Sequence, residues 1–100
     1  MPIRILGQPF TVRGDLTYEE LGTPGKVTAC DQAIQVAANI GPQEKEVVLL
    51  HEIIEVINGR LELELKHPQI KAIETALYAC LVDNGVSLQP LMDKIDKVGG

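Results

Sequence analysis

The chain has no tryptophan, one phenylalanine (Phe10) and two tyrosines. Any core built from its 100 residues must therefore be aliphatic. Its nine Lys and Arg residues are scattered rather than clustered, and the net charge is −5. That distribution argues against a nucleic-acid surface held by phosphate contacts. No apolar run approaches the length of a membrane span. Only two cysteines occur, Cys30 and Cys80, far apart and in no C-x-x-C spacing. They are expected to be free, buried thiols rather than a disulfide. The start, Met1-Pro2-Ile3-Arg4, leads into an alternating pattern and not into the apolar stretch of a signal peptide. The expectation is a small soluble cytoplasmic protein, with no nucleic-acid or membrane partner.

What the chain has in quantity is aliphatic side chains in regular patterns. Apolar residues make up 45% of it, enough for one modest core in a single domain over residues 1–100. Residues 1–40 read mainly as strands. Ile3-Arg4-Ile5-Leu6 and Phe10-Thr11-Val12-Arg13 flank Gly7-Gln8-Pro9 and predict a β-hairpin. Leu16 to Leu21 suggests a helical turn, capped by Asp15 or Thr17. Lys26 to Cys30 and Ala33 to Ala37 predict a second strand pair with Asp31-Gln32 between them. A first long helix is expected over 42–58, with Pro42 at its first position, Glu44 and Glu46 near its positive end and Gly59 as its stop. Residues 61–65 alternate, as a short strand or extended connector would. A second helix is expected over 68–83, and Leu88, Leu91, Met92, Ile95 and Val98 predict a short third helix over 88–98. Strands followed by helices make an α+β fold: a small antiparallel sheet packed on a central helix, with a second helix on the other side.

The central helix carries the chemistry. Val47, Leu49, Leu50, Ile53, Ile54, Val56 and Ile57 cover more than half its circumference, more than a surface helix needs. His51, Glu55 and Asn58 follow i, i+4, i+7 along one narrow polar face, with Glu52 beside them. Val48 falls inside that polar arc, which points to an arc not simply open to water. His51-Glu52-Ile53-Ile54-Glu55 matches H-E-x-x-H in every fixed position but the last. In H-E-x-x-H the two histidines, one turn apart, hold zinc, and the glutamate after the first is the general base. By that pattern His51 and Glu55 are candidate ligands. Glu52 is the candidate catalytic base, expected to take a proton from water activated by the ion.

A third ligand must come from elsewhere. His67 is the other histidine of the chain, nine residues beyond Asn58. The helix carries the chain roughly 10 Å past His51 at about 1.5 Å per residue, a distance that nine extended residues easily recover. Glu74 is the alternative, on the border of the second helix's apolar face with Tyr78 one turn on. His51, Glu55 and His67 supply two imidazoles and one carboxylate, the inventory of known catalytic zinc sites. With Glu74 in place of His67, two carboxylates would cancel the ion's charge and weaken its pull on water. His67 is therefore preferred, with Glu74 and Tyr78 as candidates for a supporting role around it.

From Lys26 to Asn84 the chain resembles the small zincin-like metallopeptidase proteins common in phages and prophages. The resemblance rests on Leu49-Leu50-His51-Glu52-Ile53-Ile54-Glu55, and on Leu77-Tyr78 followed by Leu81 and Asn84. It departs from the commoner H-E-x-x-H at Glu55. It implies a zincin-like scaffold with His51 at a ligand position, Glu52 at the base position, zinc as cofactor and a peptide or protein as substrate. In that scaffold the strand Ala33 to Ala37 would border the substrate cleft. Two other readings stand beside it. One is a catalytically inactive zincin fold that serves as an interaction module through its strand edges. The other is a structural metal protein closed by His51, Glu55, His67 and Glu74.

Overall fold

Two β-hairpins set up the sheet. Strand β1 (Ile3–Ile5) pairs antiparallel with β2 (Gln8–Arg13), Ile3 opposite Phe10 and Ile5 opposite Gln8. Leu6 and Gly7, both left-handed at φ 52° and 79°, form the two-residue turn, the geometry that matches the twist of paired strands. Strand β3 (Gly25–Thr28) pairs antiparallel with β4 (Ala33–Val36). The structure, a computed structural model, describes residues 2–28 and 30–96.

The hairpins join side by side through β2 and β4, which run parallel, Thr11 opposite Ala33 and Arg13 opposite Gln35. The expected antiparallel sheet is thus a mixed one, in the order β1-β2-β4-β3. The reason lies in the link between the hairpins. It contains a helical turn, α1 (Tyr18–Leu21), and then β3 itself, so β4 returns in the direction of β2. Thr17 caps α1 as one of the two candidates: its Oγ1 accepts from the Glu20 N–H at 3.2 Å, while Glu20 Oε1 accepts from the Thr17 N–H at 2.9 Å. Strand β4 lies inside the sheet, so β3 and not the strand from Ala33 forms the edge.

Helix α2 (Pro42–Arg60) follows, then α3 (His67–Asp83). Alternation along the strands turns Ile3, Ile5, Phe10, Val12, Ile34 and Val36 to one face, where they bury Val48, Leu49 and Val56 of α2. The other side of α2 buries Leu50 and Ile54 against Ile70 of α3, with Leu65 and Tyr78 at the margin. Helix α2 is therefore sandwiched between the sheet and α3, as its wide apolar arc requires.

The C-terminal part departs from expectation. One helical turn, α4 (Gln89–Met92), is followed by a short strand, β5 (Ile95–Asp96), parallel to β2 with Ile95 opposite Val12. Leu91, Met92 and Ile95 do pack on the core as their spacing suggested, but the chain turns at Asp93 and Lys94 and Ile95 reaches it from a strand. Residues 97 and 98 of the expected helix lie outside the described residues. The cysteines are both free, as expected, but both are exposed rather than buried. Cys30 sits in the β3–β4 turn, and Cys80 lies on α3 away from the Ile70 and Glu74 face that meets α2.

The end of α2 is the local detail that shapes the site. Gly59 is helical and does not take a left-handed stop. The left-handed residue is Glu62, at φ 52°. Around it the Leu63 N–H donates to the Asn58 carbonyl at 3.1 Å and the Glu62 N–H to the Gly59 carbonyl at 3.3 Å, the bond pair of a Schellman ending. The connector then doubles back. Asn58 grips it by accepting from the Leu65 N–H at 2.9 Å and donating to the Leu65 carbonyl at 3.3 Å.

Candidate functional site

The reversal brings the start of α3 against the polar face of α2. His67, the first residue of α3, has its ring centroid 5.4 Å from that of His51, the planes tilted by 58°. Glu74, two turns further along α3, is buried with 2% exposure. Its Oε1 lies 2.6 Å from His51 Nδ1. An ionised carboxylate can only accept, so His51 donates through Nδ1–H and its Nε2 is left as the lone-pair nitrogen. That nitrogen points to Glu55, whose Oε2 is 3.7 Å away. Lys71 Nζ stands 3.6 Å from the second Glu74 oxygen.

His51, His67, Lys71 and Glu74 share one cleft of about 340 Å³ between β3 and the two helices. Thr23, Pro24 and Gly25 form the strand-side wall. Val48, His51 and Glu52 come from α2, and His67, Lys71 and Glu74 from α3. Glu52 is buried, and burial pushes its carboxyl up from 4.5 to about 7. Glu55 and Glu74 push it further up, and His51 pulls it back down only where its ring is protonated. Glu52 lies so close to the edge strand because residue 25 has no side chain. A Cβ on Gly25 would meet Val48 Cγ1 at 2.5 Å and Glu52 Oε2 at 2.9 Å.

Of the candidate residues, His51, Glu52, His67 and Glu74 thus line one cleft, and Glu55 stands beside it. Tyr78 is placed elsewhere. Its hydroxyl donates to Glu46 Oε1 at 2.8 Å, which raises the phenol pKa, and its ring packs between α2 and α3. Three contributors had no signal in the sequence that marked them as part of a site: Gly25, Lys71 and the Asn58 clamp. Asn58 was visible as the last member of the i, i+4, i+7 row, but its task is to turn the connector.

The donor set fits a zinc ion in part. Two donors on a tetrahedral ion, each about 2.0–2.2 Å from it, lie roughly 3.4 Å apart, and His51 Nε2 and Glu55 Oε2 are 3.7 Å apart. The carboxylate on the far nitrogen of His51 is the partner that metal-binding histidines ordinarily have. His67 is a neighbour by ring distance, with its side chain exposed at the cleft mouth. Among the described residues, no group of three or more His, Cys, Asp and Glu side chains stands close enough to hold an ion as placed. Binding through all three therefore requires the His67 ring to swing toward the His51–Glu55 pair.

Compared with protein-family models, with curated proteins and with solved structures, the chain matches none. Among the described residues no helix is long and apolar enough to cross a membrane.

Proposed function

We propose that this chain is a zincin-like, zinc-dependent hydrolase of peptide or amide bonds, acting in the cytoplasm. The observation that carries the reading is the Glu74–His51 bond of 2.6 Å. It fixes the tautomer that leaves Nε2 free on the side of Glu55, next to a buried glutamate. A pair of this kind, with Glu74 buried and His51 half-buried, has little value on a plain structural helix, where an aliphatic pair would pack at lower desolvation cost.

His51, Glu55 and His67 would hold the ion, which when bound supplies a Lewis acid and lowers the pKa of water toward ~7. Glu52 is the proton carrier. A carboxyl held near 7 is matched to taking a proton at neutral pH and returning it to a leaving amine. Glu74 keeps the His51 ring in register. The outer edge of β3, unpaired among the described residues, offers backbone N–H and C=O groups to an extended peptide lying across the cleft. The closed structural site is less favoured, because Glu74 would have to abandon the His51 ring in order to become a ligand. The inactive interaction module keeps the β3 edge and loses the ion.

Metal analysis of protein purified without chelator or added zinc is the test. Zinc at one equivalent, or a rise in Tm on adding zinc, supports the reading. Neither result leaves the interaction module. Where zinc binds, Glu52→Gln retains the ion and loses hydrolysis of a generic substrate such as casein. Loss of the ion in that variant makes Glu52 a ligand and overturns its assignment as base.

A further inference from the structure

Helix α3 is paired on one side only. Of its 17 residues just Ile70 and Glu74 are buried, and the half-buried Tyr78 packs beside Ile70 against α2. Its apolar residues continue beyond that contact. Ile73 is 42% exposed and Leu77 40%, and Ala76 and Cys80 beside them are exposed as well. Single exposed aliphatic side chains are ordinary. These form a row: Ile73, Leu77 and Cys80 fall within about 60° of the helix wheel. Their alternating spacing of four and three residues is the 3.5-residue repeat by which one helix pairs with another. Their exposure leaves this seam without a cover among the described residues.

The charges around the seam select the helix that fits it. The exposed charged residues of α3 and its cap are Lys66, Lys71 and Asp83. Lys71 is turned away, into the His51 cleft beside Glu74. A cation, Lys66, therefore stands at the start of the seam, and an anion, Asp83, borders its end. A second α3 laid parallel would set lysine against lysine and aspartate against aspartate. Laid antiparallel, about a twofold axis level with residue 75, it sets Ile73 opposite Leu77 of the second copy and Leu77 opposite Ile73 of the second copy. Lys66 lies nine residues before that level and Asp83 eight after it. Each lysine thus comes level with the other copy's aspartate to within about 1.5 Å, well inside the reach of its side chain. The apolar match and the charge match demand the same register, the self-complementarity that a twofold interface requires.

We infer that the exposed seam of α3 is a homodimer interface, pairing antiparallel with α3 of a second copy through Ile73, Leu77 and Cys80, with Lys66 facing Asp83 of the second copy at each end. The interface uses no residue of the His51 cleft and stands whether or not the chain binds zinc. One helix per copy makes a small contact, of the class that forms weak, reversible complexes.

The test is sedimentation equilibrium of the full chain under reducing conditions, so that a disulfide through the exposed Cys80 does not mimic association. The wild type is expected to pass from monomer to dimer with a dissociation constant between about 1 μM and 1 mM. Leu77→Glu sets two anions in the middle of the seam and should leave a monomer throughout that range. Lys66→Glu and Asp83→Lys should each weaken the homodimer by roughly tenfold at low salt, because each brings like charges together at both ends. Both substitutions suit the helix dipole better than the native residue, so neither loss can be laid to unfolding. Mixed together, these two variants should form a heterodimer of about wild-type affinity, because every end pair in it is again of opposite charge. Should Leu77→Glu fail to fold, the charge variants decide alone. A chain still monomeric at about 1 mM, a dimer that survives a folded Leu77→Glu, or a mixture that associates no better than its components overturns the inference.

Discussion

Asn58 holds Leu65 at both of its backbone groups, accepting from the N–H at 2.9 Å and donating to the carbonyl at 3.3 Å. The two residues flank the turn that reverses the chain, and His67 follows two positions later. The clamp thus links the end of one helix to the position of a candidate ligand on the next.

Asn58→Ala removes both bonds and leaves two half-buried backbone groups without these partners, at a cost of about 1–3 kcal/mol. The urea midpoint should fall accordingly with an unchanged m-value. Because the connector sets where α3 begins, zinc affinity should fall as well, by about as much as in His67→Ala. A variant that loses stability but binds zinc as the wild type does would disconnect the clamp from the site.

Gly25→Ala should be costly although alanine suits a strand no worse than glycine. The new methyl would stand 2.5 Å from Val48 Cγ1 and 2.9 Å from Glu52 Oε2. Val48 is β-branched on a buried helix face and cannot simply rotate away, so a loss of about 1–3 kcal/mol is expected, as for overpacking elsewhere. Glu52 is the softer neighbour and should be pushed toward solvent. A thermal melt reads the first effect; a weaker dependence of stability on pH between 4.5 and 7 reads the second. Unchanged stability and an unchanged pH profile would show that Gly25 is not what lets Glu52 lie against the strand.

How much of this was legible beforehand differs sharply between local and long-range features. Helix α2 and its polar row were readable because a 3.6-residue period is written into consecutive residues, and Pro42 marks its start. The hairpins were readable for the same reason, with a period of two. The parallel pairing of β2 with β4 was not, because it joins residues across α1 and β3 and nothing local encodes the direction of return. Gly59 misled because a glycine after a long helix ordinarily signals the left-handed stop, whereas here Glu62 takes that conformation. Ile95 misled because its spacing from Leu91 is helical, yet it serves the core from a strand opposite Val12. Glu74 was legible as a border residue of α3, but its bond to His51 depended on the inter-helix register.

The raised pKa of Glu52 makes stability depend on pH in a direction opposite to that of an ordinary paired carboxylate. Below about 4.5 the group is protonated in both folded and unfolded chains and its burial costs little. Between 4.5 and about 7 the unfolded chain ionises first, so the folded state loses stability as pH rises. Above about 7 both states are ionised and the loss is complete, on the order of 3 kcal/mol. In chelator-treated protein, Glu52→Gln should therefore be more stable than wild type at about pH 8, and this advantage should shrink toward about pH 4. Denaturant melts of the two proteins across that range give the difference, in which groups remote from Glu52 cancel while its neighbours His51, Glu55 and Glu74 still contribute. A difference that stays constant with pH would mean that Glu52 is solvated in solution.

The sharpest separation of support from ligation comes from Glu74→Gln. The amide keeps the volume of a side chain that is 2% exposed, and its oxygen can still accept from His51 Nδ1, so the fold should survive. What it loses is the negative charge that strengthens the bond and makes the opposite ring nitrogen a better donor to a metal. Zinc affinity is expected to drop by about 10–100-fold, the usual effect of removing such an outer partner. The metal-free protein should show the change independently: a far-downfield His51 Nδ1 proton in the wild type, moved upfield in the variant. Loss of the strong bond with unchanged zinc affinity would show that the Glu74–His51 pair serves only the packing of α3 on α2. Complete loss of zinc with the Nδ1 signal intact would make Glu74 a ligand and the site a closed one, because the residue that should hold the ring would then be holding the ion.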